Sequence, residues 1–219
     1  MKFEFIYDPV PLIIIRDFFT NDENKEILAE AVGNEKHFVS ALTNKSIYPE
    51  FRSNKAAYYD VIYEKDRSGS KLLSLIDGSF SNNDELKSVL NTASYPIHKF
   101  RNSNYHATQV SRYGDDGQQF KYHIDAMEGT ERQLTMVYYF HEEPKKYKGG
   151  EISFTRSPIS MGVPMDKNAK PMVIKPENNM AVIFGALTAH TVYPTTSPKI
   201  FSQGRFSVNC WIGRKWGLV

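Results

Sequence analysis

Features that define several protein classes are scarce in this chain of 219 residues. Its single cysteine, Cys210, excludes an intrachain disulfide framework and a zinc site made of several thiolates. The longest apolar run, 180–189, has about half of the ~20 residues that a membrane-spanning helix needs. With 27 Lys and Arg against 25 Asp and Glu, no excess charge favours nucleic acid or an anionic membrane as a partner.

The composition is that of a folded domain, since hydrophobic residues make up 41% and aromatic residues 13% of the chain. The apolar run at 10–15 follows Glu4 and Asp8 and contains Pro11, which makes it a poor signal peptide. We therefore expect one domain over residues 1–219 that lies in the cytoplasm, a reducing compartment that suits a lone cysteine.

Helical patterns are confined to the N-terminal half of the chain. Thr20 followed by Glu23 forms the capping-box pattern that is typical of a helix start. Two further helices are predicted at 71–76 and 84–90, whereas the tyrosine-rich stretch 58–63 fits a strand and a loop equally well.

From residue 105 onward the apolar residues alternate with a period of two, in short segments that turn residues separate. The strand candidates are 106–113, 120–125, 132–140, 151–155, 172–175, 180–184, 188–193 and 205–212. Short strands without intervening helices predict an antiparallel sandwich or jelly roll over 105–216, supported by a helical and mixed region over 1–104. The fold class is therefore mainly β with flanking helices.

Three residues on these strand candidates have the chemistry of metal ligands. His123 and Asp125 are two residues apart on one strand, so both side chains face the same way. His190 adds a second imidazole from another strand candidate. Two histidines and one carboxylate leave three of six octahedral positions open, which suits non-haem Fe(II) and oxygen chemistry. Taken alone, the pair at 123 and 125 also fits an ordinary half-buried strand.

The last strand candidate begins with a basic residue. Arg205, Ser207 and Trp211 share one face of this strand, so the guanidinium points in the same direction as its polar neighbours. A planar guanidinium beside a metal pocket is the expected anchor for the carboxylate of a cosubstrate.

Four stretches together resemble the Fe(II)/2-oxoglutarate-dependent dioxygenases, specifically their prolyl 4-hydroxylase-like branch. They are the tyrosine, glycine, aromatic and His-x-Asp order of 113–125, the Gly-Gly-Glu of 149–151, the His190 strand and the Gly-Arg-x-Ser of 204–207. The resemblance covers about 105–216 and, more loosely, 11–31. It implies a double-stranded β-helix, a jelly-roll barrel with helices packed on one side.

The resemblance also implies roles for individual residues. It assigns His123, Asp125 and His190 to iron, and Arg205 to the far carboxylate of 2-oxoglutarate. It adds Tyr113, Tyr139 and Ser207 as residues that contact the cosubstrate, although both tyrosines fit equally well as core aromatics. The family usually has its basic residue nine to eleven positions after the second histidine, where Lys199 stands here, so Lys199 is the alternative anchor.

The function implied is hydroxylation of an unactivated C–H bond with release of succinate and CO2, using Fe(II), 2-oxoglutarate and O2. Ascorbate is a further cofactor that this branch admits. A prolyl residue in a peptide or protein is the first substrate hypothesis, and a free amino acid or small metabolite is the nearest alternative. The alternative function is that of a non-catalytic, cupin-like metal-binding module. The resemblance barely covers the segments 34–67, which could supply a loop that closes over the substrate, and 156–171, so the choice between these substrates depends on them.

Overall fold

The computed structural model describes residues 1–43, 46–114, 117–126, 131–155 and 170–214. The strands of this part of the chain are β1 (Lys2–Ile6), β2 (Leu12–Arg16), β3 (Val39–Ser40), β4 (Lys55–Tyr58), β5 (Tyr105–Tyr113), β6 (Gln118–His123), β7 (Glu131–Phe140), β8 (Lys148–Gly149), β9 (Ile152–Phe154), β10 (Met172–Ile174), β11 (Met180–Gly185), β12 (His190–Thr196) and β13 (Arg205–Arg214). The helices are α1 (Asn21–Gly33), α2 (Tyr59–Ile62), α3 (Lys71–Asn82) and α4 (Asp84–Thr92), with 3-10 turns at Glu35–His37, Arg67–Gly69, Ile97–Asn102 and Phe201–Gln203.

The strands build two antiparallel sheets. The larger sheet has the order β1-β2-β11-β7-β13-β5-β4-β3, and the smaller has the order β10-β9-β12-β6, with β8 paired to β12. The mainly β fold with flanking helices that the sequence predicts is therefore confirmed.

One apolar cluster joins the two sheets. Met180, Val182 and Phe184 of β11 in the larger sheet are buried together with Ile152 and Phe154 of β9 in the smaller one. The alternate residues of β11 belong to a second cluster that includes the helices. Because β11 is buried on both faces, its sequence is a continuous apolar run rather than an alternation.

The helices pack on the outer face of the larger sheet. Ile27 of α1, Leu73 of α3 and Leu86 of α4 share a cluster with Ile183 and Val208 of the sheet. This arrangement leaves the opposite face of the larger sheet to the interior of the barrel, where the candidate site lies.

The helix predictions are confirmed in type and place. At the start of α1, the amide of Glu23 donates to Thr20 Oγ1 at 3.2 Å and the amide of Thr20 donates to Glu23 Oε2 at 2.9 Å. In the ambiguous tyrosine-rich stretch, β4 ends at Tyr58 and the short helix α2 begins at Tyr59. No helix in the described part of the chain is long and apolar enough to cross a bilayer.

The first 104 residues, which the sequence predicts to be a helical and mixed region, also supply four strands of the larger sheet. Strand β2 pairs with β1 and β11, which extends the larger sheet on one side, while β3 and β4 extend it beyond β5. The isoleucines of β2 are all buried, so this strand lacks the period of two by which a strand is recognised.

Candidate active site

Three candidate metal ligands converge where β6 and β12 pair. His190 lies directly opposite His123 in this pairing. The Nε2 atom of His123 is 3.9 Å from Asp125 Oδ1, and the Nε2 atom of His190 is 3.7 Å from Asp125 Oδ2. Within the described residues, one potential ligand atom from each of the three lies within 4.8 Å of the others.

Asp125 reaches this position without being part of a strand. The sequence predicts a strand over 120–125, but β6 ends at His123, so alternation along a strand does not orient Asp125. The amide of Asp125 instead donates to the carbonyl of Ala186 at 3.0 Å, and Arg132 Nη1 donates to the carbonyl of Asp125 at 3.2 Å. The turn between β11 and β12 therefore holds the carboxylate next to His190.

Backbone carbonyls orient both imidazoles. The Nδ1 atom of His123 is 2.7 Å from the carbonyl of Lys121, and the Nδ1 atom of His190 is 2.9 Å from that of Thr188. A carbonyl oxygen only accepts, so each Nδ1 carries the hydrogen and each Nε2 presents its lone pair toward Asp125. Second contacts of this kind are typical of metal-bound histidine.

The electrostatics favour the metal-binding protonation states. Burial, together with the nearby His190, lowers the pKa of His123 to about 3, which keeps its imidazole neutral. Burial opposes ionisation of Asp125, but the two histidines and a 2.8 Å hydrogen bond from Thr135 hold the pKa of this carboxyl below its usual value. Two imidazoles and one carboxylate are a donor set that fits Fe(II).

Sheet register brings the predicted cosubstrate residues together around Arg205. In the larger sheet, Arg205 lies opposite Tyr113, and Ser207 lies opposite Tyr139. The guanidinium lies 4.7 Å from the ring centre of Tyr113 and 4.9 Å from that of Tyr139. It donates to the carbonyl of Gly150 at 2.9 Å and to Ser207 Oγ at 3.3 Å.

Arg205 is a buried cation whose partners are neutral. Only 1% of the residue is exposed, and among the described residues no carboxylate forms an ion pair with it. Buried charges are normally paired with an opposite charge. The alternative anchor, Lys199, is exposed in the segment that follows β12.

The buried hydroxyls that have no hydrogen-bond partner within the described chain include those of Tyr139, Tyr147 and Thr195. Tyr147 and Thr195 are candidate residues that sequence reasoning missed. One signal for Tyr147 was its place three residues before Gly150, whose carbonyl accepts from Arg205. Donors without an acceptor around an unpaired guanidinium fit an anionic ligand such as the far carboxylate of 2-oxoglutarate.

The glycine pair that precedes β9 is required by close packing on this pocket. Gly149 and Gly150 have φ values of +73° and +71°, which side chains rarely adopt. A Cβ atom on Gly149 would lie 2.2 Å from the carbonyl oxygen of Pro194, and one on Gly150 would lie 2.5 Å from Arg205 Cδ. Glycine at both positions therefore allows the chain to pass closely by Pro194 and Arg205 as it enters β9.

The segment 34–67 contributes a second buried guanidinium that sequence reasoning also missed. The amide of Ser53 donates to the carbonyl of Gln119, which places this segment along β6. Arg52, 5% exposed, lies 4.6 Å from the ring centre of Phe120, and that ring stacks on His123 at 3.4 Å. Of the segment 156–171, residues 156–169 lie outside the described part of the chain.

A double-stranded β-helix that carries two histidines, a carboxylate and a buried arginine has the form of a non-haem iron oxygenase domain. A sequence model described as the 2OG-Fe(II) oxygenase superfamily matches residues 108–213. The chain is also 27% identical over 212 residues to an uncharacterized PKHD-type hydroxylase from Synechocystis sp.. That similarity covers 92% of this chain and 62% of the relative, so the chain spans less than two thirds of the relative's length.

Solved structures agree on the fold. A prolyl hydroxylase from Trichoplax adhaerens, in complex with a peptide fragment of the hypoxia-inducible factor oxygen degradation domain, matches with a TM-score of 0.67 and 18% identity over 92% of this chain and 83% of that chain. A prolyl-4-hydroxylase from Pseudomonas putida matches with a TM-score of 0.64 and 15% identity over 93% and 92%. The predicted double-stranded β-helix is thus confirmed.

Residues 108–213 of this chain are thus similar in sequence to the 2OG-Fe(II) oxygenase superfamily, the chain is similar to a PKHD-type hydroxylase, and its fold is that of prolyl hydroxylases. The matching model is that of an oxygenase superfamily, and the two histidines and one carboxylate of this site are a donor set that fits the Fe(II) in its description. The matched range contains all seven residues that the resemblance assigns to the site: His123, Asp125, His190, Arg205, Ser207, Tyr113 and Tyr139.

Proposed function

We propose that this protein uses Fe(II), 2-oxoglutarate and O2 to hydroxylate an unactivated C–H bond, with release of succinate and CO2. The observation that carries this proposal is the combination of a cluster of two histidines and one carboxylate with a buried arginine that has no carboxylate partner in the described chain. A binding module of cupin type would need the first feature but not the second.

In this proposal, His123, Asp125 and His190 hold Fe(II) and leave open positions on one side of the ion. Arg205 pairs with the far carboxylate of 2-oxoglutarate, and Tyr139 and Ser207 orient that carboxylate beside the guanidinium. When bound, iron, 2-oxoglutarate and O2 together supply the oxidising power.

Tyr113 connects the two ends of the site. Burial raises the pKa of its hydroxyl, Arg205 and Arg52 lower it, and Asp125 raises it, so the hydroxyl lies in the field of both the anion pocket and the metal ligands. Its role in the proposal is to orient the cosubstrate between Arg205 and the metal. Enclosure in the barrel keeps water from these groups, which strengthens their charge interactions.

A prolyl residue in a peptide or protein is the substrate that we propose first. Its support is the likeness to prolyl hydroxylases, one of them solved with a bound peptide. Ascorbate as a further cofactor, a cytoplasmic location and the single-domain organisation over 1–219 stay predictions.

One observation favours the second candidate, a free amino acid or another small acid. Arg52 has no carboxylate partner among the described residues, and its buried Nη2 atom makes no hydrogen bond there. Its other donors reach Asn54 Oδ1 at 3.0 Å and the carbonyl of Leu42 at 2.8 Å, which are both neutral. Because Arg52 is separated from His123 by a single aromatic ring, a substrate carboxylate beside it would lie close to the metal.

The proposal is tested by anaerobic titration of the purified protein with Fe(II) and 2-oxoglutarate. We expect the visible charge-transfer band of the chelate, and release of succinate once O2 is admitted. His190→Ala should lose both the band and the succinate, because only two ligands remain. The exposed His37 provides the matched control, and His37→Ala should behave as the wild type.

A folded wild-type protein without band and without succinate would contradict the oxygenase proposal and leave the binding module as the better account. Full activity in His190→Ala would contradict the assignment of the metal ligands. Stimulation of succinate release by prolyl peptides, compared with free amino acids, then separates the two substrate candidates.

A further inference from the structure

Tyr147 lies in the connection between β7 and β8, next to the cosubstrate pocket. The residue is 3% exposed. The ring of His141 meets its ring edge-on at 5.4 Å, and Lys145 Nζ lies 4.4 Å from its ring centre. The ring of Tyr147 thus contacts two side chains of its own segment.

The hydroxyl of Tyr147 has no partner of its own. It is buried, and within the described chain it makes no hydrogen bond. Tyr147 directly precedes β8, and Gly150 just after that strand accepts a 2.9 Å hydrogen bond from Arg205 Nε, so Tyr147 lies beside the pocket of Arg205. Burial raises the pKa of the Tyr147 hydroxyl and the charge of Arg205 lowers it, which agrees with this position. A buried hydroxyl without an acceptor is unfavourable, and native proteins rarely retain one without a reason.

Two groups near this hydroxyl are also hydrogen-bond donors that need an acceptor. Arg205 offers only donors and, among the residues that the structure describes, has no carboxylate partner, and there the hydroxyl of Tyr139 is also without a partner. One carboxylate has two oxygens and about four lone-pair directions, so it can accept from all three groups at once.

We propose that Tyr147 donates its hydroxyl hydrogen to the far carboxylate of bound 2-oxoglutarate and thereby selects this cosubstrate over 2-oxo acids that lack a second carboxylate. This inference rests on the proposed function, because it assumes that the pocket of Arg205 takes 2-oxoglutarate. It adds to the predicted site a binding residue from a segment outside the strands that carry the other candidates.

The test compares two ligands in two proteins. Binding of 2-oxoglutarate and of 2-oxobutyrate, which lacks the far carboxylate, is measured by calorimetry without O2 on Mn(II)-loaded wild type and Tyr147→Phe. We expect the Kd of 2-oxoglutarate to rise about ten- to a hundredfold in the variant, the effect of losing one hydrogen bond to a charged group. The Kd of 2-oxobutyrate should not change.

Tyr59→Phe is the matched control. Tyr59 is fully buried, belongs to the helix-side cluster and accepts a 3.3 Å hydrogen bond from Asn34, which also donates to Tyr63. This variant should bind both ligands as the wild type does. An equal loss of affinity for both ligands in Tyr147→Phe, or no loss for either, would overturn the inference. Failure of the wild type to bind 2-oxoglutarate would overturn the proposed function and the inference with it.

A second measurement leaves the contacts of the residue in place. With 3-fluorotyrosine at position 147, the fluorine resonance reports on the hydroxyl beside it. We expect this resonance to shift when 2-oxoglutarate binds and to stay unchanged when 2-oxobutyrate binds. The same shift with both ligands would mean that the hydroxyl does not contact the far carboxylate, and would refute the inference.

Discussion

Two adjacent tyrosines of β7 have opposite environments. Tyr138 and Tyr139 are both fully buried, on opposite faces of the larger sheet. On the helix side, the hydroxyl of Tyr138 lies 2.5 Å from Asn24 Oδ1 and 3.2 Å from Asn179 Oδ1. On the barrel side, the hydroxyl of Tyr139 has no partner within the described chain.

The neighbouring strand β13 shows the same contrast. Phe206 and Val208 face the helices in a cluster of apolar side chains, whereas Arg205 and Ser207 face the barrel, where the guanidinium has only neutral partners among the described residues. The helix side thus packs apolar side chains and pairs the hydroxyl of Tyr138, which stabilises the fold. The barrel face leaves donors and a charge without acceptors, an arrangement that is typical of a binding site.

The largest expected effect comes from neutralising the charge on the barrel face. In Arg205→Met we expect the Kd of 2-oxoglutarate to rise by about two orders of magnitude or more, because a buried charge pair is lost. The melting temperature of the ligand-free protein should stay the same or rise, since an unpaired buried charge is removed. Calorimetry and thermal denaturation measure the two quantities.

The control for this variant is Lys199→Met, which changes an exposed residue and should alter neither quantity. A large loss of 2-oxoglutarate binding in Lys199→Met, with normal binding in Arg205→Met, would instead assign the anchor to Lys199.

An intermediate effect is expected from removing one hydroxyl on each face. Tyr138→Phe should lower the free energy of unfolding by about 1–2 kcal/mol, because it leaves Asn24 Oδ1 without its donor, whereas Asn179 Oδ1 still accepts from the amide of Phe19. Tyr139→Phe should leave that free energy unchanged and weaken 2-oxoglutarate binding instead. Denaturant unfolding and ligand titration of both variants check this; equal stability losses would mean that the faces do not differ as described.

The smallest effect concerns His141, at the end of β7. Burial lowers the pKa of its imidazole. The unfolded chain therefore binds the proton more readily, so this residue stabilises the fold above about pH 6.5 and loses that contribution as the pH falls through its folded-state pKa. The decrease in unfolding free energy from pH 7 to pH 5 should be smaller in His141→Gln. An identical decrease in the two proteins would argue against a buried neutral imidazole.

The sequence predicted several parts of this protein with few errors. The capping box of Thr20 and Glu23, and the period-two segments after residue 105, specify α1 and most strands, because short-range contacts decide both. The predicted extent of β6 was wrong, because this strand ends before Asp125. A hydrogen bond to the turn at Ala186 orients Asp125 instead. Tyr147 and Arg52 were missed because neither stands in a motif, and their significance depends on partners far along the chain.

Short-range features of the sequence were enough to predict the helices and most strands, the candidate ligands and the family that they resemble. Propensity, alternation and motif spacing each depend only on residues that are close together in the chain. Only the tertiary structure decided which groups meet. The pairing of β6 with β12 puts His190 opposite His123, and the register of β13 puts Arg205 opposite Tyr113. Whether a buried donor lacks an acceptor depends on every group packed around it, so no local pattern can show it.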